Sequence, residues 1–241
     1  MNDEEFKLLD EIEESHWWFV GKRLILQALL AGDVPSGRLL DLGCGTGGVL
    51  SDWMRRCTCI GIDRSRLALR ISREKGLRAL ARAHVTDPPF RPGSFETIVL
   101  LDVLEHLDDD VAALRAAAEV CAPGGRLVIS VPAFQALWSR HDETFEHLRR
   151  YSRRQLLSVV ERAGLVPERT SYTNSLLFPL AAPWRFLSMR LGIAPRHDFF
   201  PVPRWLNALL IGCYRLEAWW LRRADLPVGL SLACIARKPA A

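Results

Sequence analysis

The stretch that most limits what this chain can become is residues 39–50, "LLDLGCGTGGVL". An apolar run carrying Asp41 meets Gly43, Gly45, Gly47 and Gly48 within six positions, and helix-forming residues follow. So many bare residues suit a backbone that turns sharply or lets something approach it closely, which makes a strand–turn–helix unit. The alternation continues. "GGVLSDWMRR" reads as helix, "CTCIGID" as strand, and "SRLALRISREKG" as helix with a serine cap and a glycine stop. "LRALARAHV" and "FETIVLLDV" are a third and a fourth strand, and "DDDVAALRAAAEV" is a helix with acids at its positive end. "APGGRLVISVP" supplies a turn and a fifth strand, "LVPERTSYT" a sixth and "GLSLACIARKP" a seventh. Strands apolar on both faces, alternating with helices, predict a parallel sheet between two helical layers.

Two segments stand outside this alternation. "EEFKLLDEIEE" and "WWFVGKRLILQALLAG" predict two N-terminal helices, the second ended by Gly32, that form a lid over residues 1–35. Residues 174–228 hold four of the eight tryptophans and six prolines, and predict two helices, "LLFPLAAPWRFLSMRL" and "RWLNALLIGCYRLEAWWLRR". This hydrophobic insert is expected to cap a pocket; a peripheral membrane contact and a homodimer face are the alternatives. Residues 1–241 are expected to make one domain.

Composition removes several function classes. A net charge of +4, with no aromatic ladder among the basic residues, argues against nucleic acid. The acidic start, "MNDEEFKLLDEIEES", lacks the features of a signal peptide, and no uncharged apolar stretch reaches spanning length. Six cysteines without a framework of spacings then suggest reduced thiols and a cytoplasmic protein.

By itself, Gly43-x-Gly45-x-x-Gly48 would fit a dinucleotide's pyrophosphate, so an NAD enzyme stays open. Asp41, two residues ahead of the first glycine, disfavours a pyrophosphate and suits a cationic ligand. Asp63, twenty residues after Gly43, ends its strand where ribose hydroxyls would be met. With "LLDLGCGTG", "GID", "LDVLEHL" and "APGGRLVISVP" in this order, the chain resembles the class I S-adenosylmethionine-dependent methyltransferases, and within them the group that includes ubiquinone- and menaquinone-biosynthesis methylases. The resemblance implies a Rossmann-like, doubly wound α/β fold with seven strands, mostly parallel with an antiparallel last strand, and the helical insert before that strand. It implies S-adenosyl-L-methionine as cofactor, with Gly43, Cys44 and Gly45 at its methionine and ribose parts, Asp63 at the ribose, and His84 with Val85 at the adenine. His84 stands where the family usually has aspartate. Arg23 is the candidate for the cofactor's carboxylate; Asp41, Arg64 and Leu101 complete the binding set.

The segment "WSRHDETFEHLRRYS", residues 138–152, leaves the fifth strand at the end where such sheets bind ligands. Methyl transfer from a sulfonium needs alignment, and a base only where the acceptor carries a proton. His106, His141 and His147 are the candidate bases, with Glu105, Asp142 or Glu143 to orient one of them. An alternative gathers Glu105, His106, His141 and His147 around a divalent ion. Arg149, Arg150 and Tyr151 are candidate substrate residues, against the plainer reading that Asp142 and Glu143 pair with Arg149 and Arg150 to hold the loop. The expectation is O-methylation of a small or lipid-linked acceptor. The alternative from another class is a catalytically silent cofactor-binding or scaffold protein.

Overall fold

The structure, a computed structural model, describes residues 3–30, 37–54, 56–195, 197–199 and 201–240; Gly32 and the end of the expected lid lie outside them. Seven strands form one sheet: β1 (Arg38–Leu42), β2 (Thr58–Asp63), β3 (Leu80–Arg82), β4 (Phe95–Leu101), β5 (Cys121–Pro132), β6 (Val166–Thr173) and β7 (Ser231–Arg237). Their order is β3-β2-β1-β4-β5-β7-β6. The first five pair in parallel, and β7 runs antiparallel to both β5 and β6. This is the doubly wound α/β fold that the resemblance implied, with the helical layers that the alternation predicted.

The period of two along each strand separates the two cores. Leu39, Val99 and Val128 face one apolar layer, and Leu40, Ile98 and Leu127 face the other. The first layer meets α2 (Trp17–Leu29), α3 (Gly48–Trp53) and α4 (Arg66–Glu74); the second meets α5 (Asp110–Val120) and α7 (Arg153–Arg162), which follows the short α6 (Arg140–Thr144). Two elements are shorter than the sequence suggests. Helix α3 stops at Trp53, and β3, at the sheet's edge, keeps only three residues before the chain turns away after Ala83.

Chain order places β1 beside β4, so the connections leave in opposite directions and open a crevice at the carboxyl ends of these two strands. Two further parts border it. Helix α1 (Asp3–Ile12) delivers Glu13 to the glycine turn, where it accepts a hydrogen bond from Thr46 Oγ1 at 2.7 Å and pairs with Lys75. The insert forms α8 (Phe178–Arg190) and α9 (Arg204–Leu221). Helix α9 lies along α2: Trp17 N–H donates to Asn207 Oδ1 at 2.8 Å, and Tyr214 covers Gly21 so closely that a Cβ there would sit 2.4 Å from its ring. At the insert's entry, Glu217 accepts the N–H groups of Asn174 (2.5 Å) and Ser175 (2.8 Å), which compensates its burial.

The α2–α9 contact requires a bare backbone at Gly21. Gly21→Val is expected to destabilise the fold by about 1–3 kcal/mol. Chemical denaturation checks this, and an unchanged midpoint would mean that α9 does not press on α2 as described.

Candidate functional site

The crevice is built from the turn after β1 and the ends of β2 and β4. Gly43 and Gly45 adopt φ of 84° and 53°. A side chain on Gly43 would collide with Val103 Cγ2 at 2.7 Å, whereas the space around Gly45 is open. Asp63 closes the turn, accepting the N–H of Gly45 at 3.0 Å and that of Ser65 at 2.8 Å. Beneath it Asp41 is buried, and burial, reinforced by Asp63, raises its pKa to about 7. Cys44 is buried as well, and desolvation, reinforced by Asp41, raises its thiol far above the ordinary range, so it acts as packing. Of the other expected cofactor residues, Val85 is buried, His84 is half-buried with Nδ1 2.6 Å from Thr86 Oγ1, Arg64 is exposed, and Leu101 lines a cavity roofed by α2. That cavity holds about 40 Å³, room for one or two waters.

Arg23 does not point there. Its guanidinium donates to the carbonyls of Glu13 (2.7 Å) and Glu14 (3.1 Å) and pairs with Asp52, fastening the α1–α2 corner. The neighbouring Lys22 reaches the crevice instead and pairs with Asp102, whose Oδ1 also accepts from Ser130 Oγ at 3.2 Å. Asp102 has φ +55°, a costly conformation for a residue with a side chain. The sequence reading passed over Lys22, Asp102 and Ser130. The available signal was Asp102's position directly after β4, at the switch point.

The quoted loop folds around one carboxylate. Asp142 Oδ1 accepts Arg150 Nε and His147 Nδ1–H, each at 2.8 Å, and Oδ2 accepts Ser139 N–H at 2.8 Å. Burial opposes its ionisation, but the His147 and Arg150 hydrogen bonds outweigh that and hold the carboxyl well below its usual range. With Nδ1 as the donor, the free lone pair of a neutral His147 is on Nε2. The His106 ring stands edge-on to His147, 4.8 Å between centroids, and desolvation, followed by its neighbour His147, lowers the pKa of His106 to about 4. Glu105 is fully buried, and neither carboxylate oxygen has a hydrogen-bond partner. Burial first, and Asp102 second, push its carboxyl well above the normal range, so it is held as the neutral acid. One ligand atom from each of Glu105, His106 and His147 lies within 4.8 Å of the others.

His141 is outside this cluster of ligand atoms, although its ring stands edge-on to that of His147 at 5.9 Å between centroids. It packs against Phe145 and Phe199, its Nδ1 accepts Asp198 N–H at 3.3 Å, and burial lowers its pKa strongly. The expected substrate residues are engaged within the protein. Arg149 binds Asp110 (3.2 Å) and the Asp108 carbonyl, Arg150 is buried on Asp142 and the Ala133 carbonyl, and Tyr151 donates to Asp110 at 2.9 Å. The plainer reading of the loop therefore describes Arg150, while Arg149 pairs with Asp110 rather than Glu143. The four non-glycine residues with positive φ among those described, Asp102, Phe134, Glu146 and Asn174, follow β4, β5 and β6 or lie in this loop. Backbone strain thus gathers at the ligand-binding end of the sheet.

A family model described as a methyltransferase domain matches residues 19–169. The chain belongs to that family. Among curated relatives, a ubiquinone biosynthesis O-methyltransferase from Xanthomonas euvesicatoria is 34% identical over 106 residues, 41% of this chain and 44% of the relative. The chain thus spans less than half the length of such relatives. Among solved structures, phosphoethanolamine N-methyltransferase 2 of Haemonchus contortus, in complex with S-adenosyl-L-methionine, aligns over 95% of this chain and 57% of its own, with a TM-score of 0.62 and 17% identity. The [4+2]-cyclase SpnF aligns over 92% and 81%, with a TM-score of 0.59 and 22% identity. These structural likenesses bear on fold.

Asp142 organises the loop, so removing its charge leaves Arg150 buried without a counter-ion. Asp142→Ala is expected to cost about 3–5 kcal/mol at pH 7. Because the folded pKa is depressed, the stabilisation is complete above the ordinary value of 3.8 and is lost as pH falls below it. Denaturant titrations at pH 7 and pH 3 should show the gap between wild type and variant narrowing at the lower pH; a constant gap would contradict the ion pair.

Proposed function

We propose that this protein is an S-adenosylmethionine-dependent methyltransferase that methylates an oxygen of a small or lipid-linked acceptor, with His147 as general base. The observation that carries the reading is the Asp142–His147 hydrogen bond beside the crevice of a methyltransferase-domain fold. The turn fits the cofactor on its own geometry. Gly45 leaves open space where a side chain would stand, Asp63 presents a carboxylate at a strand end, and the Asp41 carboxyl lies below to balance positive charge. When bound, S-adenosylmethionine supplies a methyl group on a positively charged sulfur, a leaving group that needs no acid.

The protein's own contribution is then alignment and the handling of one proton. Asp142 holds the His147 tautomer with Nδ1 protonated and Nε2 free to receive the proton of an acceptor hydroxyl, and it steadies the imidazolium that results. His106, neutral at working pH, packs against that ring without competing positive charge. The relatives named as O-methyltransferases agree with an oxygen acceptor. A second reading is favoured by the unpartnered Glu105 oxygens: with His106 and His147 they could hold a divalent ion, which would ionise Glu105 and polarise an acceptor oxygen. Glu105→Gln separates the two. The amide preserves a neutral acid but not an anionic ligand, so retained turnover speaks for the base reading, and a loss together with chelator sensitivity speaks for the ion.

His147→Ala is expected to lower kcat by about 100-fold or more while leaving S-adenosylmethionine affinity within a few-fold. Turnover that survives this change would remove the base assignment. Cofactor affinity should also depend on pH through Asp41. Below pH 7 its carboxyl carries a proton that a bound cation must displace, so affinity falls by up to about tenfold per pH unit as pH drops, and it levels off above. Calorimetric titration between pH 6 and 7.5 measures this, and Asp41→Asn should flatten the dependence.

A further inference from the structure

Helix α9 is apolar on two faces. Tyr214, Ala218 and Leu221 lie buried against the body of the protein. On the other side Trp205, Leu209, Leu216, Trp219 and Trp220 are all exposed, Trp205 at 69% and Leu209 at 59%. Their steps of three and four residues, with the exposed Gly212 between, form a single stripe along the helix. Helix α8 repeats the pattern with Leu180, Trp184, Leu187 and Leu191, again exposed at steps of four, three and four. A helix apolar all round is normally covered on every side, and the outer stripe of α9 is bare. The sequence reading expected a cap turned toward a pocket; here the cap's inner face seals α2 while its outer face meets solvent.

The charges around these stripes favour one kind of cover. Residues 174–225 contain seven arginines and three acids. All three acids are engaged: Asp198 with Arg185, Glu217 with the backbone at 174–176, and Asp225 with Arg169. Among the described residues, no carboxylate pairs with Arg190, Arg204, Arg215, Arg222 or Arg223, all of which are exposed. Two of them lie over exposed aromatic rings of these helices, Arg190 at 4.2 Å from the Phe186 centroid and Arg223 at 4.1 Å from Trp219. Tryptophans and leucines bordered by free cations match the boundary of an anionic bilayer, where the rings sit among the headgroups and the guanidinium groups meet phosphate. A second copy of this chain fits poorly. A two-fold contact would set the arginines of one stripe against those of the other, with no acid between them. Nor is any helix among the described residues long and apolar enough to cross a membrane, so the surface would lie on the bilayer.

We propose that the outer faces of α8 and α9 dock the protein on the surface of anionic lipid membranes. This surface lies beyond residues 19–169, the part shared with the family, and it does not depend on the methyltransferase reading.

The test is flotation of the full chain with vesicles of phosphatidylcholine alone and with 30% phosphatidylglycerol. Partitioning should be at least about tenfold stronger on the anionic vesicles, fall with added salt, and shift tryptophan emission to the blue. Joint replacement of Trp205, Leu209 and Leu216 by serine should abolish it, and Arg204→Glu with Arg222→Glu should weaken it by about tenfold or more. Circular dichroism confirms that these variants fold, and calorimetry with S-adenosylmethionine reads the cofactor site separately. Absence of vesicle binding, equal binding to neutral vesicles, or unchanged binding by the serine variant overturns the proposal. So does burial of the tryptophans in a dimer seen by sedimentation without vesicle binding.

Discussion

Everything at the ligand-binding end of this protein depends on how closely two strand ends approach one another. Where β1 and β4 part, the backbone at Gly43 passes Val103 so tightly that a single Cβ would stand 2.7 Å from the valine methyl. That contact draws the turn in and leaves Gly45 facing open space. It also brings Asp41 and Asp63 close enough that Asp63 adds to the rise in the pKa of Asp41. A bulkier residue at Gly43 would push the turn out of register with Asp63 as well as fill the crevice. The glycine pattern is therefore a statement about distance before it is one about any ligand.

Three carboxyl groups near this end show how burial and partners divide the chemistry. Asp142 is as buried as Glu105, yet it receives an arginine, a histidine and a backbone N–H, and these keep it charged. Glu105 has no such partners and faces Asp102, so it stays neutral. Asp41 lies between, titrating near neutrality. The charged acid fixes a histidine, the intermediate one could balance positive charge brought near it, and the neutral one keeps negative charge away from His106.

The layered fold was legible because each strand is short, apolar and bounded by glycine or a capped helix. The two insert helices followed from the same signals, and the antiparallel direction of β7 from the resemblance. Side-chain partners were harder to read. Arg23 and Lys22 are adjacent on one helix, and sequence alone does not say that the first turns back to the Glu13 and Glu14 carbonyls while the second enters the crevice. Arg149, Arg150 and Tyr151 looked available because charged and phenolic groups usually reach solvent. Three partners on separate elements draw them inward instead: Asp110, Asp142 and the Ala133 carbonyl. Long-range pairing of this kind leaves no period in the chain, whereas the helix cap at Ser152 and Gln155 does.

Fold by itself does not decide the reaction, since the SpnF [4+2]-cyclase shares this architecture. The decision rests on what the loop after β5 brings to the crevice. Asp142 stabilises the loop through Arg150 whatever the reaction, and the proposed base role adds His147 to the same carboxylate. Such a pair is expensive to bury, and here it is stabilised by Arg150 from the same loop and the capping box at Ser139. The arrangement leaves one imidazole nitrogen fixed by Asp142 and the other without that constraint, beside a neutral His106. In the proposed reading it would serve an acceptor that must give up a proton as it is methylated. An acceptor that attacks without losing one, such as a tertiary amine or a thioether, would draw nothing from it.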